Sequence, residues 1–302
     1  MTVRSAASGS VSVSIEPQLP DSISESLALT QSRLTALGER EFVNKSLSEP
    51  ATHLLKHPGK LVRPGILLST AHILGEEPSK FVDLAAGIEL LHTSSLVHDD
   101  IIDRDTTRRG SEAVHSKYGI NSAILAGDAL IAEAIHLASR YGGVVVQRAS
   151  EAAMSMCAGE ILDHEQQTSK AGMDLETYLK IARLKTASLI ATSFSVVADY
   201  TGSGARDRLY NIGVNVGMSF QIKDDIMNFL GVKDKAAKSV RTDAKNNRPN
   251  IVSVFEFHGK RDPLRTAAKL NNFYLDQAAA ELDELENSTL LSSYIEYLRI
   301  SP

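Results

Sequence analysis

The stretch Leu90-Leu-His-Thr-Ser-Ser-Leu-Val-His-Asp-Asp-Ile-Ile-Asp103 limits what this chain can fold into more than any other. From Val82 to Val97 there is no Pro and one Gly, and apolar residues recur at intervals of three and four, the pattern of a helix with a buried face. The stretch then runs into Asp99, Asp100 and Asp103. On a helix, Asp99 and Asp103 stand one turn apart on one face. Two carboxylates so placed repel each other and resist an apolar setting. A divalent cation relieves both problems, and oxygen ligands suit magnesium. Taken alone, the stretch reads equally well as a solvated acidic helix end.

A second copy shifts that balance. Gly217-Met-Ser-Phe-Gln-Ile-Lys-Asp-Asp-Ile-Met-Asn228 is again an apolar helix ending in acids, Asp224 and Asp225, with Asn228 one turn on. Two antiparallel helices bring these clusters face to face across a cavity, where two or three magnesium ions and one diphosphate fit. Asp99, Asp100, Asp103, Asp224, Asp225 and Asn228 are therefore the candidate metal ligands.

Cations lie at intervals around these acids. Pro58-Gly-Lys-Leu-Val-Arg-Pro64 places Lys60 and Arg63 where a loop enters a helix, with Pro64 suited to the first turn; a helix N-terminus beside cations attracts anions. Arg104-Asp-Thr-Thr-Arg-Arg-Gly110 is a turn carrying Arg108 and Arg109, and arginine grips phosphate bidentately. Lys185, followed by Thr186, sits in a largely apolar helix where an unpaired charge is costly. Residues 233–248 are dense in Lys and Arg. Each of these alone also reads as solvated basic surface. His92 lies seven residues before Asp99, on the same stripe, where a satisfied core histidine is the plainer reading. His98 is given no role.

Together, in this order, the motifs resemble those of the trans-prenyltransferases, or isoprenyl diphosphate synthases, over about Gly59 to Val254. The resemblance implies an all-α, single-domain antiparallel helical bundle around a deep central cavity, of the isoprenoid synthase type. It implies magnesium-dependent head-to-tail condensation of isopentenyl diphosphate with dimethylallyl, geranyl or farnesyl diphosphate. Gly59, Lys60, Arg63, His92 and Arg109 would serve isopentenyl diphosphate. Arg108, Lys185 and Lys238 would serve the allylic one, Gln221 would also bind substrate, and Arg248 stands where the family has a second lid cation. Asp99, Asp103, Asp224, Lys185, Thr186 and Gln221 form the catalytic set, and Asp163 a support for the metal site. The chain departs from the family at Glu160, where Gln is usual, at Arg241, where Gly is usual, and at Arg248, where Lys is usual. Ser94 and Ser95, just before the first acids, are small where relatives making C15 often carry an aromatic. That implies a product of C20 (geranylgeranyl) or longer, limited deeper down, near Gly87, Leu91, Ile131 or Ala134. A non-catalytic subunit of a heteromeric synthase and a class I terpene cyclase are the alternatives.

Composition agrees. Hydrophobic residues make up 43% of 302, and aromatics 5% without Trp, which suits an aliphatic helical core. A net charge of −5 argues against a nucleic-acid partner. A lone Cys157 rules out an internal disulfide, fits a reducing, cytoplasmic setting, and reads as buried filler. The apolar runs read as too short for a membrane span. Residues 1–20 read as a tail before a domain of residues 21–302, and a homodimer is expected. The remaining helical stretches are Ser22 to Leu55 (capped by Ser22 or Ser24 and broken at Ser48-Glu-Pro50), Ser122–Tyr141, Val144–Asp163, Asp174–Thr201, Leu264–Asn287 and Leu290–Ile300.

Overall fold

The structure, a computed structural model, describes residues 3–4, 10–11, 19–39, 44–57, 59–168, 172–231, 250–285 and 288–300. Its helices are α1 (Asp21–Glu39), α2 (Lys45–Thr52), α3 (Val62–Ile73), α4 (Val82–Asp103), α5 (Val114–Tyr118), α6 (Ile120–Ala138), α7 (Gly143–Thr168), α8 (Leu175–Ala182), α9 (Ser188–Thr201), α10 (Arg206–Phe229), α11 (Ile251–Phe257), α12 (Pro263–Leu282) and α13 (Thr289–Leu298). Lys238, Arg241 and Arg248 lie outside the described residues.

The long helices run antiparallel, as their contacts show. His98 near the end of α4 meets Ile124 near the start of α6, while Gly87 near the start of α4 meets Ala134. Likewise α9 and α10 pair Ala187 with Gly217 and Ala191 with Gly213, and Ser219 of α10 bonds Asn271 of α12 at 2.8 Å. At the centre lies α9, buried from Ser188 to Ala198. Two of its hydroxyls survive burial by returning to the helix: Thr192 donates to the Ser188 carbonyl at 3.0 Å and Ser193 to that of Leu189 at 2.9 Å. Asn44, Asp174, Asn250 and Asp262 cap α2, α8, α11 and α12 through side-chain oxygens.

Several expectations need correction. Pro50 does not break a helix. It is the sixth residue of α2, so the carbonyl deprived of a partner is that of Ser46, in the exposed first turn. The first helix starts at Asp21, and Ser24 donates to the Leu19 carbonyl at 3.4 Å instead of capping. The stretch ending at Thr201 is not one regular helix: Arg183–Ala187 forms a π-helical turn between α8 and α9. Two stretches, Ile120–Tyr141 and Leu175–Thr201, are by length and composition apolar enough to cross a bilayer. In the bundle 83% of the second is buried; only 33% of the first is, which leaves α6 an apolar outer face. Cys157 is exposed.

Candidate active site

One cavity of about 760 Å³ gathers most of the motif residues. From α4 it takes His92, Ser94, Ser95, Asp99 and Asp103, and from α10 Gln221, Asp224, Asp225 and Asn228. Arg63, Arg108, Lys185 and Thr186 complete its polar end, and Leu91, Ile131, Ala153 and Met156 line its apolar part. Cys157 also borders it, so the reading of Cys157 as buried filler is wrong. Leu91 lies two turns before Asp99 on α4, about 12 Å down the helix at roughly 1.5 Å per residue. Of the deeper positions considered, Leu91 and Ile131 do line the cavity. Gly87 and Ala134 instead meet each other: a Cβ on Gly87 would come within 3.2 Å of the Ala134 carbonyl. There the small residues let α4 and α6 close together.

The members of each Asp doublet differ. Asp100 is fully buried and off the cavity wall, and its Oδ1 accepts from Arg108 Nε at 2.8 Å. The structure thus makes Asp100 an anchor for Arg108 and not a facing ligand; the phase set by packing on α6 turns Asp99 and Asp103 inward. Asp225 borders the cavity, yet its carboxylate accepts from Tyr178 Oη at 2.7 Å, the Ile251 N–H at 2.9 Å and Gln221 Nε2 at 2.8 Å. Burial pushes Asp225 up to about 7 despite those bonds. Asp225 therefore ties α10 to α8 and α11, while Asp224 and Asn228 face out, bonded to each other at 3.2 Å.

The Lys185-Thr186 pair sits on the π-helical turn, and two glycines make room for it. A Cβ on Gly159 would meet Lys185 N at 2.5 Å, and one on Gly217 would meet Ala187 Cα at 2.5 Å. Lys185 is not a surface charge that snorkels to water. It donates to Asp163 at 2.9 Å and pairs with Glu160, the residue that departs from the family. Burial and the nearby charge of Asp99 push Glu160 up to about 7 against the pull of Lys185. Burial alone would lower Lys185, but Asp99, Asp163 and Glu160 outweigh it and raise its pKa. Thr186 donates to Gln221 Oε1 at 2.6 Å, which leaves the lone pairs of its oxygen available to the cavity.

On the other flank Arg63 borders the cavity beneath Phe220, its guanidinium carbon 6.0 Å from the ring centroid. Gly59, Lys60 and Arg109 lie behind it, off the wall. Lys60 bonds Tyr297 Oη at 3.3 Å. Arg109 occupies a hairpin tip between Thr107–Arg108 and Ser111–Glu112, where Arg109 (φ 50°) and Gly110 (φ 75°) both take positive φ, as such a two-residue turn demands. Leu61, between the two loop cations, and Arg104, directly after the first acids, also have positive φ, 51° and 57°. Burial, then Arg63, Arg109 and Arg108, hold His92 well below its ordinary value, so it is neutral. His98 packs over Gly127 and bonds the Ile124 carbonyl at 3.2 Å. Two partners escaped the sequence reading. Tyr178 carries no local signal. Glu89 carries one, a charge inside the otherwise uncharged run Leu84–Leu91.

The oxygen donors suit magnesium. Among the described residues, no three acidic, imidazole or thiol side chains are close enough to hold an ion by themselves. Each ion would need oxygens from a bound diphosphate, the usual way magnesium is shared between carboxylates and phosphates.

A family model described as polyprenyl synthetase matches residues 44–288. A geranylfarnesyl diphosphate synthase of Aeropyrum pernix is 38% identical over 222 residues, 69% of this chain and 70% of that one. A geranylgeranyl pyrophosphate synthase of Geoglobus acetivorans is 35% identical over 221 residues, covering 70% and 69%. Among solved structures, a geranylgeranyl pyrophosphate synthetase from Pyrococcus horikoshii Ot3 superposes with a TM-score of 0.81 at 27% identity, over 91% of this chain and 95% of the other.

Proposed function

The chain belongs to the polyprenyl synthetase family and is a trans-prenyltransferase, and from that premise we propose that it extends an allylic diphosphate with isopentenyl units to an all-trans product of C20 or longer. The observation that carries this is one cavity with two acid clusters and several cations at one end and an apolar wall at the other.

Asp99 and Asp103 on one side, with Asp224 and Asn228 on the other, would hold magnesium, which supplies charge stabilisation to a leaving diphosphate. Arg108 and Lys185 bind the allylic diphosphate beside those acids. Arg63 and His92, backed by Gly59, Lys60 and Arg109, bind isopentenyl diphosphate. His92 does so as a neutral donor. When the allylic carbon–oxygen bond breaks, both electrons leave with the diphosphate and the first carbon becomes cationic. The Thr186 oxygen, oriented by Gln221, faces that charge. The terminal double bond of isopentenyl diphosphate attacks the cation to form the new carbon–carbon bond. A proton is then lost to the departed diphosphate, which restores a double bond. The growing chain passes Ser94 and Ser95 toward Leu91 and Ile131. A non-catalytic subunit would not need both acid clusters on one cavity, and a terpene cyclase would not need the Arg63 side of it.

The outer face of α6 and α7 supports a homodimer. Ile124, Leu125 and Met154 are 42–64% exposed there, an apolar area a second copy would cover. Sedimentation of Leu125→Asp should show monomers where the wild type shows dimers; a monomeric wild type would overturn this part.

The test of the reaction is product analysis with radiolabelled isopentenyl diphosphate and each allylic primer. Labelled C20 or longer products should form with magnesium and vanish with chelator. Asp99→Ala or Asp224→Ala should lose orders of magnitude in turnover without loss of fold. Full activity in chelator refutes the mechanism, and a product no longer than C15 refutes the length assignment.

A further inference from the structure

Glu89 lies three residues before His92 on α4, buried beside Ala85, Ala86 and Thr93 on the same helix face. A carboxylate there is expensive unless something pairs with it. Its partner is Arg109, whose guanidinium donates to Glu89 Oε1 at 2.9 Å; the two side chains are 8% and 4% exposed. Arg109 reaches this position from a hairpin tip, where a long side chain is otherwise free to extend into water. Its guanidinium also lies against Gly59, so closely that a Cβ there would come within 3.0 Å of it. This contact is a physical reason for glycine next to Lys60.

The second guanidinium is that of Arg63. Its Nε is buried and has no hydrogen-bond partner among the described residues. Glu89 acts on it through space: burial, opposed by Glu89 and reinforced by Arg109, lowers Arg63 to about 10. The Glu89–Arg109 pair is neutral, and the charge left to meet an anion is that of Arg63, with donors uncommitted. Without Glu89, two adjacent guanidiniums would repel, and Arg109 would lose the acidic partner that holds it under the loop.

We propose that Glu89 is a positioning residue for isopentenyl diphosphate: its carboxylate fixes Arg109 beneath Gly59 and thereby sets the loop of Lys60 and the donors of Arg63 before substrate arrives. The proposal rests on assigning Arg63 and His92 to the isopentenyl side. Preorganisation of this kind acts on the affinity of one substrate. It leaves the other substrate and the bond-making step alone.

The experiment is steady-state kinetics of the full chain, with each substrate varied at saturating levels of the other, for wild type, Glu89→Gln, Glu89→Asp and Glu89→Ala. Thermal melts are run alongside. Glu89→Gln keeps the shape and loses the charge. It should raise the KM for isopentenyl diphosphate about tenfold, close to 1.4 kcal/mol, with kcat and the allylic KM within about threefold. Glu89→Gln/Arg109→Gln should be no worse than Arg109→Gln alone, because the two residues act as one unit. An unchanged or lowered KM for isopentenyl diphosphate in Glu89→Gln overturns the proposal. So does an equal rise in both KM values that tracks a lowered Tm across the series, the mark of a purely structural carboxylate. If Glu89→Ala does not fold, the Gln and Asp variants decide. If Arg63→Ala raises only the allylic KM, the site assignment fails, and that failure is separate from any result at Glu89.

Discussion

Gly159→Ala tests whether the π-helical turn is held by close approach. The added Cβ would stand 2.5 Å from Lys185 N and 2.9 Å from Lys185 Cα. Both are backbone atoms and cannot rotate away. Restoring ordinary contact, near 3.5 Å, requires α7 and the turn to part by about 1 Å. Overpacking of this kind costs about 1–3 kcal/mol, or roughly 2–10 °C in Tm for a chain this long. The same displacement carries Lys185 and Thr186 away from Asp163 and Gln221. A misplacement of about 1 Å in a positioned group can cost about 100-fold in rate, so kcat should fall by about 10–100-fold. Gly204→Ala is the control: nothing stands within 4 Å of its added Cβ, and both Tm and kcat should stay at wild-type values. The assay is turnover of labelled isopentenyl diphosphate beside differential scanning calorimetry. Wild-type kcat and Tm in Gly159→Ala would refute the reasoning outright. A lowered Tm with intact kcat would show that the packing matters while the placement of Lys185 does not depend on it.

Ser94→Phe should shift product toward C15 at a comparable condensation rate, because Ser94 lies on the cavity wall between Asp99 and Leu91; unchanged chain length on thin-layer analysis would show that other walls set the product. His92 gives a pH prediction with a definite sign. The unfolded chain takes up a proton at this histidine below about pH 6.5 and the folded chain does not. The unfolded state therefore binds more protons, and folding stability drains away as pH falls through that value. His92→Gln removes the term, so between pH 7.5 and 5.5 it should lose less stability than wild type in urea titrations. A greater loss in the variant would contradict the neutral, buried histidine.

Much of this site was legible in the sequence because its acids repeat on helical spacing. The helical period puts Asp99 with Asp103 and Asp224 with Asn228 on one face each, and α4 and α10 contain both stretches, with α4 running on to Asp103. What the period could not fix is which neighbour in a doublet faces inward. Asp99 and Asp100 differ by 100° around the helix, and the packing of α4 on α6 decides. The turn at Arg183–Ala187 was hidden for a related reason. Its extra residue is stabilised by glycines on α7 and α10, distant in the chain, and nothing within Leu184-Lys-Thr-Ala187 announces it. Pro50 misled because a proline's effect depends on which carbonyl it strands, and here that carbonyl is in an exposed turn. Cys157 misled because an apolar neighbourhood in sequence does not say which face of α7 meets the cavity.

Leu61, Arg104 and Arg109 are, among the described residues, the ones other than glycine that hold left-handed backbone, and each stands inside a motif. Such a conformation costs a non-glycine residue about 1–2 kcal/mol, against about 0.5–1 kcal/mol that glycine would give back in unfolded-state freedom. Leu61 is buried in the core, and there the packing of its side chain, about 2–5 kcal/mol, outweighs the strain. Glycine at 109 would relax the chain and delete the guanidinium that Glu89 grips. The bend at Arg109 thus sets backbone ease against the ion pair that it places under Gly59.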